Sequence, residues 1–193
     1  MKKLALAAAL ALTAAPALAH TGHGDASGFE HGFLHPLTGP DHLLAMLAVG
    51  LWSGFVLPHR VWAGAAAFLS AMALGAALSW SGVPIPNVET WITLSVAVFG
   101  LLTVFARRGQ PRAITGLSLA AIALFAACHG HAHATEAAGD ALGYLAGFLI
   151  ATAGLHVAGI ALARAAASGR FARVMQTLMG AGITAGGLLL IAG

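Results

Sequence analysis

Apolar residues run through this chain in long blocks, and most polar residues are confined to the gaps between them. Six blocks cover residues 40–57, 61–81, 88–106, 113–130, 140–163 and 171–192. The gaps are rich in helix breakers and charge: Leu57-Pro58-His59-Arg60, Gly82-Val83-Pro84-Ile85-Pro86-Asn87, Arg107-Arg108-Gly109-Gln110-Pro111-Arg112 and Ser168-Gly169-Arg170. A helix rises ~1.5 Å per residue, so ~20 residues cross a ~30 Å hydrocarbon core. Each block is therefore expected to be one transmembrane helix. The expected fold class is all-α: a polytopic membrane bundle of six helices.

The first 39 residues follow a different pattern. Lys2 and Lys3 precede an apolar stretch, Leu4 to Ala15, that is short for a span, and Ala17-Leu18-Ala19 has the A-x-A form of a cleavage site. Residues 1–19 read as a cleaved signal peptide. Residues 20–39 read as a His-containing periplasmic segment, and residues 40–193 as the transmembrane domain.

Composition supports a lipid environment. The chain is 59% hydrophobic and 8% charged, against roughly 25% charged residues in a soluble domain. One cysteine, Cys128, excludes a disulfide framework and any CxxC site. There is no basic run, so nucleic acid is not an expected partner. Charge placement says more than the net value of +3. Signal cleavage puts the mature N-terminus outside. The seven arginines, Arg60, Arg107, Arg108, Arg112, Arg164, Arg170 and Arg173, then fall in or beside cytoplasmic loops. The six acidic residues, Asp25, Glu30, Asp41, Glu89, Glu136 and Asp140, fall on the outer side. This sorting obeys the positive-inside rule. It predicts an inner-membrane protein with periplasmic N- and C-termini.

Ionisable residues in membrane segments are costly, so the exceptions are informative. One cluster is His35-Pro36-Leu37-Thr38-Gly39-Pro40-Asp41-His42. Its prolines and glycine predict an unwound or bent approach to the first span, with Asp41 in the favourable first turn of the helix. In the plainer reading Asp41 only caps that helix and His42 satisfies backbone groups. The second cluster is Cys128-His129-Gly130-His131-Ala132-His133-Ala134-Thr135-Glu136. His129 and His133 are four apart, on one helix face, with Glu136 near the same stripe and His131 pointing elsewhere. Two imidazoles and a carboxylate suit a divalent transition metal. A solvated, His-rich helix end is the plainer alternative.

Together these two motifs resemble the HupE/UreJ family of nickel and cobalt permeases. The matching residues are His35, Asp41 and His42 in HPLTGPDH, and His129, Gly130, Ala132, His133 and Glu136 in CHGHAHATE. The leader, the six-segment layout and the stretch Ala151-Thr152-Ala153-Gly154-Leu155-His156 match as well. The family pattern has Phe where this chain has Cys128, and Gly where it has Ala134. The resemblance implies a metal path through His35, Asp41, His42, His129, His133 and Glu136, with His156 as a deeper relay. His156 lies about 15 residues into the fifth span, roughly 22 Å from its outer end; on its own it reads equally as a packing residue.

Other candidate ligands are weaker. His20, with its imidazole and a free α-amine after cleavage, and His23 suit a metal-capture tail or an incidental one. Cys128 offers a soft thiolate, and His131 another imidazole. Met46 and Met72 read as packing residues.

The expected function is a secondary permease for Ni²⁺ or Co²⁺. No enzymatic activity and no prosthetic group are expected. The expected partners are the lipid bilayer, the divalent ion as substrate and, the sequence leaving this open, further copies of the chain. Two alternatives belong to other classes. One is an intramembrane zinc-dependent metalloenzyme, since two histidines and a carboxylate can activate zinc-bound water. The other is a metal-binding membrane accessory protein without transport.

Overall fold

A computed structural model describes residues 28–137, 140–167 and 169–193. The proposed signal peptide, His20 and His23 lie outside the described residues. The fold is all-helical, with seven helices among the described residues: α1 (Gly28–Thr38), α2 (Pro40–Val56), α3 (Ala63–Trp80), α4 (Val88–Phe105), α5 (Arg112–Glu136), α6 (Ala141–Ala167) and α7 (Ala172–Ala192). Five of them, α3 to α7, are long and apolar enough to cross a membrane. The helix α2 is apolar but only 17 residues long.

The boundaries follow the breakers. Gly109 turns the chain between α4 and α5 at φ +77°, a left-handed conformation that a Cβ disfavours. Asn87 precedes α4 at φ 55°, which Asn tolerates better than most residues. Two features depart from the sequence reading. The fourth segment was expected to end near residue 130, yet α5 continues to Glu136 and carries the whole histidine motif on helix. Residues 28–38, expected as a polar surface segment with an unwound end, form α1, and Pro36 is accommodated inside it. The expected bend narrows to one residue, Gly39, with extended backbone (φ −81°, ψ 117°).

The shortest apolar helix is the central one. Twelve of the 17 residues of α2 are buried, against four of the 21 in α7. It packs on α1, α3, α4, α6 and α7. The outer faces stay apolar: Leu117, Leu142 and Leu189 are each more than 70% exposed. Such a surface suits lipid and would aggregate in water.

Small residues set the helix spacings. A methyl group on Gly50 of α2 would lie 3.0 Å from Cα of Gly159 on α6, and one on Gly130 of α5 would collide with the Met72 carbonyl of α3. These are backbone-to-backbone contacts of the kind that hold helices together where no hydrophobic drive exists between them. Polar side chains add one further tie. Gln176 of α7 donates to the carbonyls of Thr103 (2.7 Å) and Ala106 (2.9 Å). Arg173 donates to those of Ala106 (2.9 Å) and Val104 (2.7 Å). Together they satisfy the C-terminal carbonyls of α4.

Charge is sorted between the two ends of the bundle. Arg60 and Arg108 line one hollow, and Arg107, Arg108 and Arg173 another, so the α2–α3, α4–α5 and α6–α7 connections lie together. Asp41, Glu89 and Asp140 sit at the opposite helix ends, at or just before the starts of α2, α4 and α6. Replacing Gly130 with Ala should destabilise the bundle by ~1–3 kcal/mol through overpacking. Gly154→Ala, where nothing lies within 4 Å of the added methyl, should be neutral or slightly stabilising. Thermal unfolding of the two variants in detergent provides the comparison.

Candidate metal site

The break at Gly39 builds the site. Its backbone N–H donates to the carbonyl of His35 (3.0 Å), closing α1, and its carbonyl accepts from Leu43 N–H (2.9 Å), opening α2. Pro40 takes the first position of α2, where no N–H is needed. Asp41 and His42 then occupy the first turn, close under His35. The half-buried Asp41 uses one oxygen twice: Oδ1 accepts from the backbone N–H of His42 (2.9 Å) and from its Nδ1 (2.6 Å). The carboxylate thus fixes the His42 ring and leaves Nε2 to face inwards, the arrangement that second-shell carboxylates impose on metal-binding histidines.

Nε2 of His42 meets Nε2 of His133, which descends from α5. His35 closes the group from α1, with its ring centroid 5.1 Å from that of His42 and 4.5 Å from that of His133. One ring nitrogen from each of the three residues lies within 4.8 Å of the others. His42 and His133 are buried, and His35 is partly exposed. Phe148 of α6 forms an apolar wall, 4.6 Å from the His133 ring and 5.9 Å from that of His35. Three imidazoles converge from three helices, with a carboxylate behind one of them. This donor set suits Ni²⁺, Co²⁺ or Zn²⁺.

His129 lies one turn further along α5, its ring 5.1 Å from that of His42. It is fully buried. Its Nδ1 donates to the carbonyl of Phe125 (2.9 Å), and its Nε2 has no protein partner. A carbonyl only accepts, so Nδ1 carries the proton and Nε2 presents a lone pair. His156 of α6 repeats this pattern. It too is fully buried, with Nδ1 donating to the carbonyl of Met46 (2.8 Å) and Nε2 unpartnered. Buried polar atoms are rarely left without partners. Both nitrogens are free acceptors of the kind that ligates a metal cation.

Between these two histidines stands Phe68 of α3, fully buried. Its ring centroid is 5.5 Å from that of His129 and 5.0 Å from that of His156. The sequence reading passed over Phe68, since one aromatic in an apolar helix carries no pattern that separates it from packing. Met46 behaves as structure: its carbonyl holds His156, and its sulfur accepts from the Thr152 hydroxyl (3.2 Å).

The remaining candidates fall elsewhere. His131 is buried on another face, and its Nε2 donates to the Val83 carbonyl in the α3–α4 connection (2.6 Å). Cys128 packs in a separate apolar cluster with Ile92 and Ala132. Glu136 is the last residue of α5, three beyond His133; its side chain lies outside the described residues.

The fold and this cluster define a class: a membrane helix bundle with three imidazoles converging at one end. Comparison with known proteins goes further. The HupE / UreJ protein family pattern matches residues 8–190. A curated relative, Protein HupE of Rhizobium leguminosarum bv. viciae, is 39% identical over 196 residues, covering 100% of both chains. No solved structure matches the chain. This chain belongs to the HupE/UreJ family.

The geometry separates the residues that converge from their neighbours in sequence. His133→Ala should lower the affinity of the purified protein for Ni²⁺ or Co²⁺ by at least about tenfold, on the scale of a lost metal contact. Cys128→Ser should leave it unchanged within about twofold, and calorimetric titration of both variants measures the difference.

Proposed function

We propose that the chain is a secondary permease of the bacterial inner membrane that takes up divalent nickel or cobalt. The observation that carries this reading is the convergence of His35, His42 and His133 within 4.8 Å, at the acidic end of the bundle. Membership of the HupE/UreJ family favours transport over the hydrolytic alternative. In this reading residues 1–19 are a cleaved signal peptide and both mature termini are periplasmic. The arginine end faces the cytoplasm, in keeping with the positive-inside rule.

The helix α2 then provides the sixth crossing. Its 17 residues span roughly 26 Å, a little less than the hydrocarbon core. Protein surrounds it on most sides, so its ends need not reach the lipid headgroups. The break at Gly39 and the polar first turn that follows lie beside the imidazole cluster.

The ion sheds part of its hydration shell at His35, His42 and His133. Asp41, and Glu136 beyond His133 at the end of α5, offset its double charge. His129 is the next donor inwards, and Phe68 separates it from His156. His129 and His156 each present an unpartnered Nε2, so the cation moves inwards between similar ligands. A membrane potential negative inside drives the movement, contributing about 4.6 kcal/mol per 100 mV for a divalent ion crossing the full field.

Two outcomes follow for cells that lack other importers. His129→Ala and Asp41→Ala should each abolish accumulation of radiolabelled nickel at unchanged membrane abundance; near-normal accumulation in either would refute the path. Protons compete with metal for imidazole, so the sign of the pH effect is fixed. Uptake should fall once acid protonates the ligand imidazoles, and radiolabelled nickel accumulation across a series of external pH values measures this.

A further inference from the structure

The arginine end of the bundle carries an open groove of about 620 Å³, within the ~300–1,000 Å³ range of ligand sites. Its trough is apolar, formed by Val98, Leu101 and Phe105 of α4 and Ile114 of α5, and its rim is Arg107 and Arg108. Two further hollows, of about 420 and 410 Å³, open beside it. Arg108 lines all three, joined by Arg60 in one and by Arg107 and Arg173 in another. No carboxylate lines any of them.

The arginines differ in what already occupies them. The Arg173 guanidinium donates to the carbonyls at the end of α4. Arg107 and Arg108 are exposed. The loop that carries them is fixed from within, because the Arg107 backbone N–H donates to Oε1 of Gln110 (3.1 Å), and the Gln110 amide donates to the Thr115 hydroxyl (3.2 Å). Pro111 and Ile114 bring the first turn of α5 to the groove, which adds the positive end of a helix dipole.

We propose that this groove binds an anionic phospholipid. Its phosphodiester is held by Arg107 and Arg108, and an acyl chain fills the trough between α4 and α5. The two parts of the groove require both halves of such a molecule. A free phosphate would satisfy the arginines and leave the trough uncovered. A neutral hydrocarbon would do the reverse. A zwitterionic lipid would bring an ammonium group into a cluster of cations. Guanidinium groups pair bidentately with phosphate oxygens, and clustered basic residues beside a membrane span attract anionic headgroups. The site lies at the opposite end of the bundle from the imidazoles, so the proposal stands apart from the permease reading.

The test is lipid retention, read by native mass spectrometry on protein equilibrated with phosphatidylglycerol or phosphatidylcholine of identical acyl chains. The wild type should retain phosphatidylglycerol at least about fivefold better. The double variant Arg107→Gln, Arg108→Gln should retain the two equally. Leu101→Trp, which fills the trough and leaves the arginines in place, should lower retention of both lipids at least about fivefold. Inorganic phosphate at millimolar concentration should not displace the lipid. Equal retention of both lipids by the wild type, an unchanged preference in the double variant, or displacement by phosphate alone would overturn the proposal. If the double variant does not purify as a monodisperse helical protein, Arg108→Gln alone carries the same expectation, since Arg108 borders all three hollows.

Discussion

Gly50 of α2 and Gly159 of α6 face each other with no side chain between them, and much of the bundle depends on that approach. It lets the Met46 carbonyl of α2 reach His156 Nδ1, and the Thr152 hydroxyl reach the Met46 sulfur. It also helps bring α6 close enough for Phe148 to wall the imidazole cluster. In lipid, apolar side chains gain little by leaving the solvent, because the solvent is also apolar. Close backbone contact takes over as the organising force, so glycine decides helix spacing where leucine would in water. The fit between α3 and α5 at Gly130 follows the same rule and sets how deep His129 and His133 lie.

Much of this was legible in the chain itself. Five of the six apolar blocks became helices long enough to span, and the sixth became the buried centre, since block length reports hydrophobic reach directly. The i, i+4 spacing of His129 and His133 placed them on one stripe, and His131 turned to another face as that periodicity requires. Other features were hidden for physical reasons. The short helix α1 has no apolar run. Gly32, on its face towards α6, meets the Tyr144 backbone, and no pattern in one strip of sequence announces a docking partner over a hundred residues away. His35 therefore read as part of a loop, although it completes the cluster from a helix. His129 and His133 look equivalent in sequence; only the packing of α1 and α2 over the end of α5 makes His133 a member of the trio and His129 the next residue inwards. Phe68 was invisible for the opposite reason, being an ordinary residue in an ordinary setting.

The two polar regions answer different needs. At the acidic end, the imidazoles of His42 and His133 are buried beside Phe148 and Tyr144, which lies 6.4 Å from the His35 ring. At the arginine end the cations lie outwards, around open grooves. A cluster of donors within a few ångströms suits an ion. A set of charges spread around apolar troughs handles a surface. The same helices carry both, because each crosses from one environment to the other and its two termini face different tasks.

His129 and His156 each donate a hydrogen bond from Nδ1–H to a backbone carbonyl. A proton relayed through an imidazole arrives at one nitrogen and departs from the other. At both of these rings the departing side is closed, since an amide oxygen accepts the hydrogen bond and passes nothing on. The line of histidines thus exposes lone pairs to a metal cation while interrupting any chain along which protons could hop. In the proposed permease, such wiring would let a divalent ion pass through the centre while insulating the proton gradient across the same membrane.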